Sequence, residues 1–320
     1  MDETQRMLDL LNSTFPDLAS MSPREAREAA DARVRPAPNP EDVAATDDQV
    51  LSADGHDVTI RIYHPHDRDP GMPLTVYAHG GGFLHGSIAS HDSFCRRWAK
   101  GTGSTVASVE YRLAPEHRPA DAAADVAAAA RWAAALSPTG TVLLAGDSAG
   151  ATAAAQASLV LAKDPVGILA GQVIAYPMLD PECASESHRT RATGYFVTHR
   201  QIRYYWDTAL TGGTPSGEDT PWLADSLPTL PATIVVIGGL DVLSDEGREY
   251  ASRLRAADTP VILRDYPDQF HGFLTMPGYG PGESARELLW SDIRATFSTA
   301  RAADPATTSP TELAHEGVSS

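Results

Sequence analysis

Short apolar runs recur along the chain, bounded by turn-forming residues and separated by segments of helical periodicity. Leu74-Thr75-Val76-Tyr77-Ala78, Thr141-Val142-Leu143-Leu144-Ala145, residues 233–240 and residues 261–266 have the length and the β-branched or aromatic content of strands. Residues 120–136 and 151–163, rich in alanine and other small residues, read as helices. Strands alternating with helices predict an α/β domain, a mostly parallel sheet covered by helices on both faces. Near the N-terminus Met7, Leu8, Leu11 and Phe15 recur at helical spacing, so residues 1–35 are expected to be helical. Ser22-Pro23-Arg24-Glu25 carries a capping box with proline at the first helical position. Arg35-Pro36-Ala37-Pro38-Asn39-Pro40 then makes a stiff connection into the strand-forming part.

The strand at 141–145 and the helix at 151–163 meet at Gly146-Asp147-Ser148-Ala149-Gly150, a G-x-S-x-G pentad. Strand, sharp turn and helix is the setting that exposes a serine, here Ser148, as a nucleophile. Side chains two residues either side would collide across so tight a turn, which is a steric reason for both glycines. By itself the pentad also fits a glycine-rich turn at a strand end, in a chain with 25 glycines.

Three companions change that balance. His79-Gly80-Gly81-Gly82-Phe83 follows the strand at 74–78, and its bare N–H groups suit an oxyanion hole. His79 itself is expected to organise the loop rather than act as a base. Asp241 ends the run at 233–240, where a carboxylate reaches a catalytic histidine; Asp245 and Glu246 sit where first-turn acids of the next helix belong. His271 follows the strand at 261–266 and, of the 11 histidines, is the one on such a short loop between aromatic residues. Ser148, Asp241, His271 is the chain order of α/β-hydrolases, and differs from those of chymotrypsin and subtilisin.

With these motifs the chain resembles the hormone-sensitive lipase family of α/β-hydrolases, the bacterial family IV carboxylesterases. The matching stretches are residues 79–83, Glu110-Tyr111-Arg112-Leu113-Ala114-Pro115-Glu116-His117, residues 146–150, residues 241–247 and His271-Gly272-Phe273. The resemblance covers roughly residues 45–300. It implies an α/β-hydrolase fold with a helical cap, and a serine carboxylesterase acting on short to medium acyl esters through an acyl-enzyme. Ser148 would be the nucleophile, His271 the base and Asp241 its orienting acid. The N–H groups of Gly81, Gly82 and Ala149 would form the oxyanion hole. Residues 110–112 would pack the loop beneath the site, and Asp147 places the chain in the subgroup whose triad acid is aspartate. Ala151, Val242 and Ser244 depart from the family pattern, and the loop 116–119 is one aromatic residue short. These touch local loops, not the triad. The implied division is a cap segment and linker over 1–44, a catalytic domain over 45–302 with a cap insertion at about 181–222, and a disordered polar tail over 303–320. Of the insertion's aromatics Tyr195, Phe196, Tyr204, Tyr205 and Trp206, most are expected to form the cap's own core and one or two to line the pocket. Two other readings share the fold: an amide or ester deacetylase of a small metabolite, and a non-catalytic small-molecule receptor, which the presence of His271 disfavours.

Composition narrows the partners. The 320 residues carry a net charge of −17, which repels nucleic acid and anionic membranes. No apolar run reaches the length of a membrane span, and no signal-peptide pattern opens the chain, so a cytoplasmic location is expected. The two cysteines, Cys95 and Cys183, fit no metal or redox spacing and are expected to be buried thiols. No metal or cofactor is expected, the partner is a small-molecule ester, and a homodimer is left open.

Overall fold

The computed structural model describes residues 2–53 and 55–299; the tail expected over 303–320 lies outside them. Two helices, α1 (Glu3–Thr14) and α2 (Pro23–Asp31), precede the sheet. The strands are β1 (Ala45–Ala53), β2 (His56–His64), β3 (Leu74–Ala78), β4 (Val106–Glu110), β5 (Val142–Asp147), β6 (Leu169–Ala175), β7 (Thr233–Gly238) and β8 (Val261–Tyr266). The remaining helices are α3 (Ile88–Thr102), α4 (Pro119–Ala134), α5 (Ala149–Leu161), α6 (Glu186–Thr190), α7 (His199–Leu210), α8 (Ser244–Ala256) and α9 (Gly280–Phe297). The described strands form one sheet in the order β1-β2-β4-β3-β5-β6-β7-β8. β1 and β2 pair antiparallel with each other, β2 pairs antiparallel with β4, and all pairings from β4 to β8 are parallel. This is the mostly parallel sheet expected from the alternation of strands and helices, and the α/β-hydrolase arrangement that the resemblance implies.

Side-chain alternation along the parallel strands explains why both faces are covered. Leu74, Val76, Val142, Leu144, Ile174, Val235 and Ile237 point into one core. Tyr77, Leu143, Ala145, Val173, Ala175, Ile234 and Val236 point into the other. Because β3, β5 and β7 are buried at every position, they read in sequence as continuous apolar runs. The first core takes the alanine faces of α4 and α5, including Ala122, Ala127, Ala130, Ala153 and Ala154. Small side chains let these helices approach the sheet and each other closely. The second core is aromatic. Trp98 and Trp290 pack edge-on at 5.0 Å between α3 and α9, and Trp98 Nε1 donates to Thr75 Oγ1 at 3.2 Å.

The sequence reading and the structure differ mainly at element ends. The strand expected at 141–145 runs to Asp147, and the helix expected from 151 begins at Ala149, so the turn between them is a single residue. The helical region expected over residues 1–35 consists of Glu3–Thr14 and Pro23–Asp31, joined through a short 3-10 turn at Leu18–Ser20. The capping box forms as expected at Ser22 and Glu25. No helix of the described residues is long and apolar enough to cross a membrane.

Candidate active site

Every element of the candidate site sits beyond the C-terminal end of a parallel strand, where open α/β sheets leave a crevice for ligands. Ser148 is the one-residue bend between β5 and α5, held at φ 54°, ψ −124°. That backbone conformation is costly for a residue with a Cβ and persists because its surroundings fix it. The Ser148 N–H donates to Ala175 O at 2.9 Å, and the Thr152 N–H donates back to Ser148 O at 3.2 Å. The flanking glycines are steric necessities. A Cβ on Gly146 would lie 2.5 Å from the Gly150 backbone, and one on Gly150 would overlap the carbonyl oxygens of Ala78 and His79.

The structure brings Ser148, His271 and Asp241 into one line. His271 Nε2 lies 2.9 Å from Ser148 Oγ, and His271 Nδ1 lies 2.7 Å from Asp241 Oδ2. Asp241 is fully buried, and its other oxygen accepts the Leu243 N–H at 2.9 Å. A carboxylate can only accept, so Nδ1 carries the proton and the Nε2 lone pair faces the serine hydroxyl. Burial alone would depress the His271 imidazole. The Asp241 carboxylate outweighs it, with smaller help from Asp147 and Glu246, and the pKa is raised above 6.5.

The glycine loop faces the same serine. The N–H groups of Gly81 and Gly82 have no acceptor among the described residues. Ala149 opens α5, so its N–H also lacks an intrahelical partner. His79 is held off to the side, as the reading of it as a loop organiser expected. Its ring stacks on Tyr111 at 4.3 Å and its Nδ1–H donates to Gly80 O at 2.9 Å. Burial, then the neighbouring His91, push its pKa down to about 3, so it stays neutral. The Tyr111 hydroxyl donates to His79 O, while Arg112 grips Asp125 through Nε and Nη2.

Asp147 ties the pentad to this loop. Its Oδ1 accepts the Tyr77 hydroxyl at 2.7 Å and the Gly80 N–H at 2.8 Å, and lies 3.1 Å from His91 Nε2. Burial works against its charge, but His91, Tyr77 and Gly80 together lower its pKa. Asp147→Leu is therefore expected to strand two buried donors and cost on the order of 3 kcal/mol, read as a lower urea midpoint at unchanged slope. A variant as stable as the parent would contradict this role.

The pocket in front of Ser148 has a volume of about 260 Å³. Its walls combine the glycine loop and His271 with Phe15, Val34, Phe196, Val197, Ile202 and Tyr205. Of the aromatics at 195–206, Phe196 and Tyr205 thus line the pocket, whereas Trp206 is fully buried against Phe83. His85, His91 and Gln201 are site residues that sequence reasoning missed. They come from α3, α7 and a loop, and no spacing links them. Glu246 does sit in the first turn of α8, but it is no solvated cap. It is fully buried, accepts the Leu179 and Asp180 N–H groups, and pairs with His188 Nε2 at 2.7 Å. Among the described residues no group of three or more His, Cys, Asp or Glu is arranged to hold a metal ion.

The chain has clear relatives among known proteins. Residues 75–275 match a family model described as the alpha/beta hydrolase fold. The chain is 33% identical to the carboxylic ester hydrolase LipN of Mycobacterium tuberculosis, over 82% of this chain and 73% of that protein. It is 30% identical to an ethyl acetate hydrolase of Pseudomonas putida, over 72% of this chain and 76% of that protein. A solved ester-hydrolase from the Lake Arreo metagenome, complexed with a bipyridine phosphonate derivative, superposes with a TM-score of 0.84. That match is 30% identical and covers 93% of this chain and 99% of the other.

Proposed function

The chain belongs to the hormone-sensitive lipase-like family of α/β-hydrolases and is a carboxylic ester hydrolase, and from that premise we propose a serine esterase of short to medium acyl esters. The observation that carries the site assignment is the continuous path Ser148 Oγ, His271 Nε2, His271 Nδ1, Asp241 Oδ2, with steps of 2.9 Å and 2.7 Å. Ser148 attacks the ester carbonyl as His271 Nε2 takes its proton. The carbonyl π electrons move onto oxygen, and the N–H groups of Gly81, Gly82 and Ala149 stabilise that anion. Collapse expels the alcohol, which leaves with the proton held by His271, and Ser148 is acylated. Water then attacks the acyl-enzyme with His271 again as base, releasing the acid and free Ser148. Asp241 keeps the imidazole tautomer and stabilises its charged form. No cofactor enters.

Substrate size is read from the pocket. A volume of about 260 Å³ lies below the usual range for drug-sized ligands, about 300–1,000 Å³. The ethyl acetate hydrolase among the relatives points the same way. In this reading α1, α2 and the insertion at 181–222 form the cap, because Phe15, Val34, Phe196 and Tyr205 all close over the serine. A cytoplasmic location and a free monomer–dimer choice complete the proposal. Its test is a p-nitrophenyl ester series from acetate to decanoate. The expected kcat/KM peaks at or below octanoate, and N-acetyl analogues are cleaved more slowly than O-acetyl ones. A maximum at decanoate, or preference for the amide, overturns the substrate class.

A further inference from the structure

One side chain of α7 reaches the glycine loop at two points. The Tyr205 ring lies directly against Gly82, so closely that a Cβ on Gly82 would overlap it. Its hydroxyl lies 2.9 Å from His85 Nε2 and accepts the Gln201 Nε2–H at 2.7 Å. Gln201 donates to the tyrosine oxygen, and a neutral His85 with its proton on Nδ1 takes the phenolic proton at Nε2. His85 can accept it because burial, followed by the charges of His91 and Arg27, depresses its pKa to about 4 and keeps the ring neutral. The His85 backbone in turn closes the glycine turn, since the His85 and Leu84 N–H groups both donate to Gly81 O, at 3.0 and 3.1 Å.

The glycine loop is therefore gripped from two sides. Asp147 holds Gly80 from the sheet, and Tyr205 holds Gly82 and His85 from the covering segment. We propose that Tyr205 is a positioning residue for the oxyanion hole: it aims the Gly81 and Gly82 N–H groups, so the hole reaches its working geometry only when α7 is seated. The inference rests on the esterase reading of the site. It adds that the covering helix sets the rate of the chemical step besides shaping the pocket. Mispointing a donor costs less than deleting one, which typically lowers rates about 10²–10³-fold.

The test compares Tyr205→Phe with Gln201→Leu, which leaves the tyrosine in place but removes its anchor. Both are expected to lower kcat about tenfold with KM within about twofold. Both are also expected to weaken a trifluoromethyl ketone, which forms an oxyanion on Ser148, by the same factor. The parent methyl ketone should bind as before. A double variant Tyr205→Phe with His85→Asn should be no slower than the slower single variant, because the hydroxyl acts through His85. The wild type and Ser148→Ala are run alongside. If the wild type is active, Ser148→Ala is inert, and both Tyr205→Phe and Gln201→Leu keep kcat and trifluoromethyl ketone affinity within about twofold, this inference fails while the esterase reading stands. Additive losses in the double variant overturn it equally.

Discussion

Ser148→Ala is expected to lower kcat/KM for p-nitrophenyl acetate by at least about 10⁴-fold, with the far-ultraviolet circular dichroism unchanged. The size of the loss follows from what remains. Without the Oγ, His271 has no nucleophile to deprotonate, and the glycine N–H groups and binding pocket contribute only their residual share of rate acceleration. The fold should survive because alanine occupies the same bend. It keeps the Cβ, the φ of 54° and the backbone hydrogen bonds of Ser148. Stoichiometric labelling of the parent by a fluorophosphonate, lost in the variant, is the accompanying measurement. Wild-type turnover by the alanine variant would remove Ser148 from the mechanism.

Asp241→Asn should be almost as damaging, about 10⁴-fold in kcat, although it changes one atom. The reason lies in the second oxygen of Asp241, which accepts the Leu243 N–H at 2.9 Å. In the variant that N–H selects the amide oxygen, and the amide NH₂ is turned toward His271 Nδ1. Nδ1 must then accept, so the imidazole proton moves to Nε2 and faces the serine. The base is present but in the wrong tautomer. The pH dependence changes with it. In the parent, His271 must be neutral to act, and its pKa is raised above 6.5 because Asp241 outweighs burial. The acid limb of kcat/KM therefore has its midpoint above 6.5. With the carboxylate gone, burial acts with far less opposition and the residual activity should show a midpoint shifted downward. An unmoved acid limb would mean that Asp241 does not set the charge of His271.

The central strands that carry the site are plain in the sequence because they are buried on both faces. Residues 74–78 coincide with β3, since a strand with no exposed position carries no charged residue to blur its ends. β8 is only half-buried, and its apolar start Val261-Ile262-Leu263 marks it instead. The candidate triad and glycine loop stand out for a different reason. Each occupies the first few residues after a strand, so its place is set locally. What the sequence hides is assembled by tertiary contact. Tyr205 is one aromatic among several over residues 195–206, and Gln201 looks like an ordinary member of an amphipathic helix. Only the approach of α7 to Gly82 gives the pair a role. Glu246 is the instructive case. Its sequence position suits an exposed helix-start acid, yet the loop at 179–180 folds over it and removes it from water.

The order of strands also has a consequence for the protein during its synthesis. Among the described residues β8 is the last strand and lies at the edge of the sheet beside β7, and His271 sits on the loop that follows it. The proposed nucleophile Ser148 emerges from the ribosome 123 residues before the proposed base His271. On the proposed mechanism a nascent chain that ends before residue 271 lacks the base and is expected to cleave nothing. On the proposed mechanism hydrolysis is expected only once His271 has left the ribosome and docked beside Ser148, so esterase turnover on stalled chains of increasing length would appear as a step and serve as a clock for completion of the sheet.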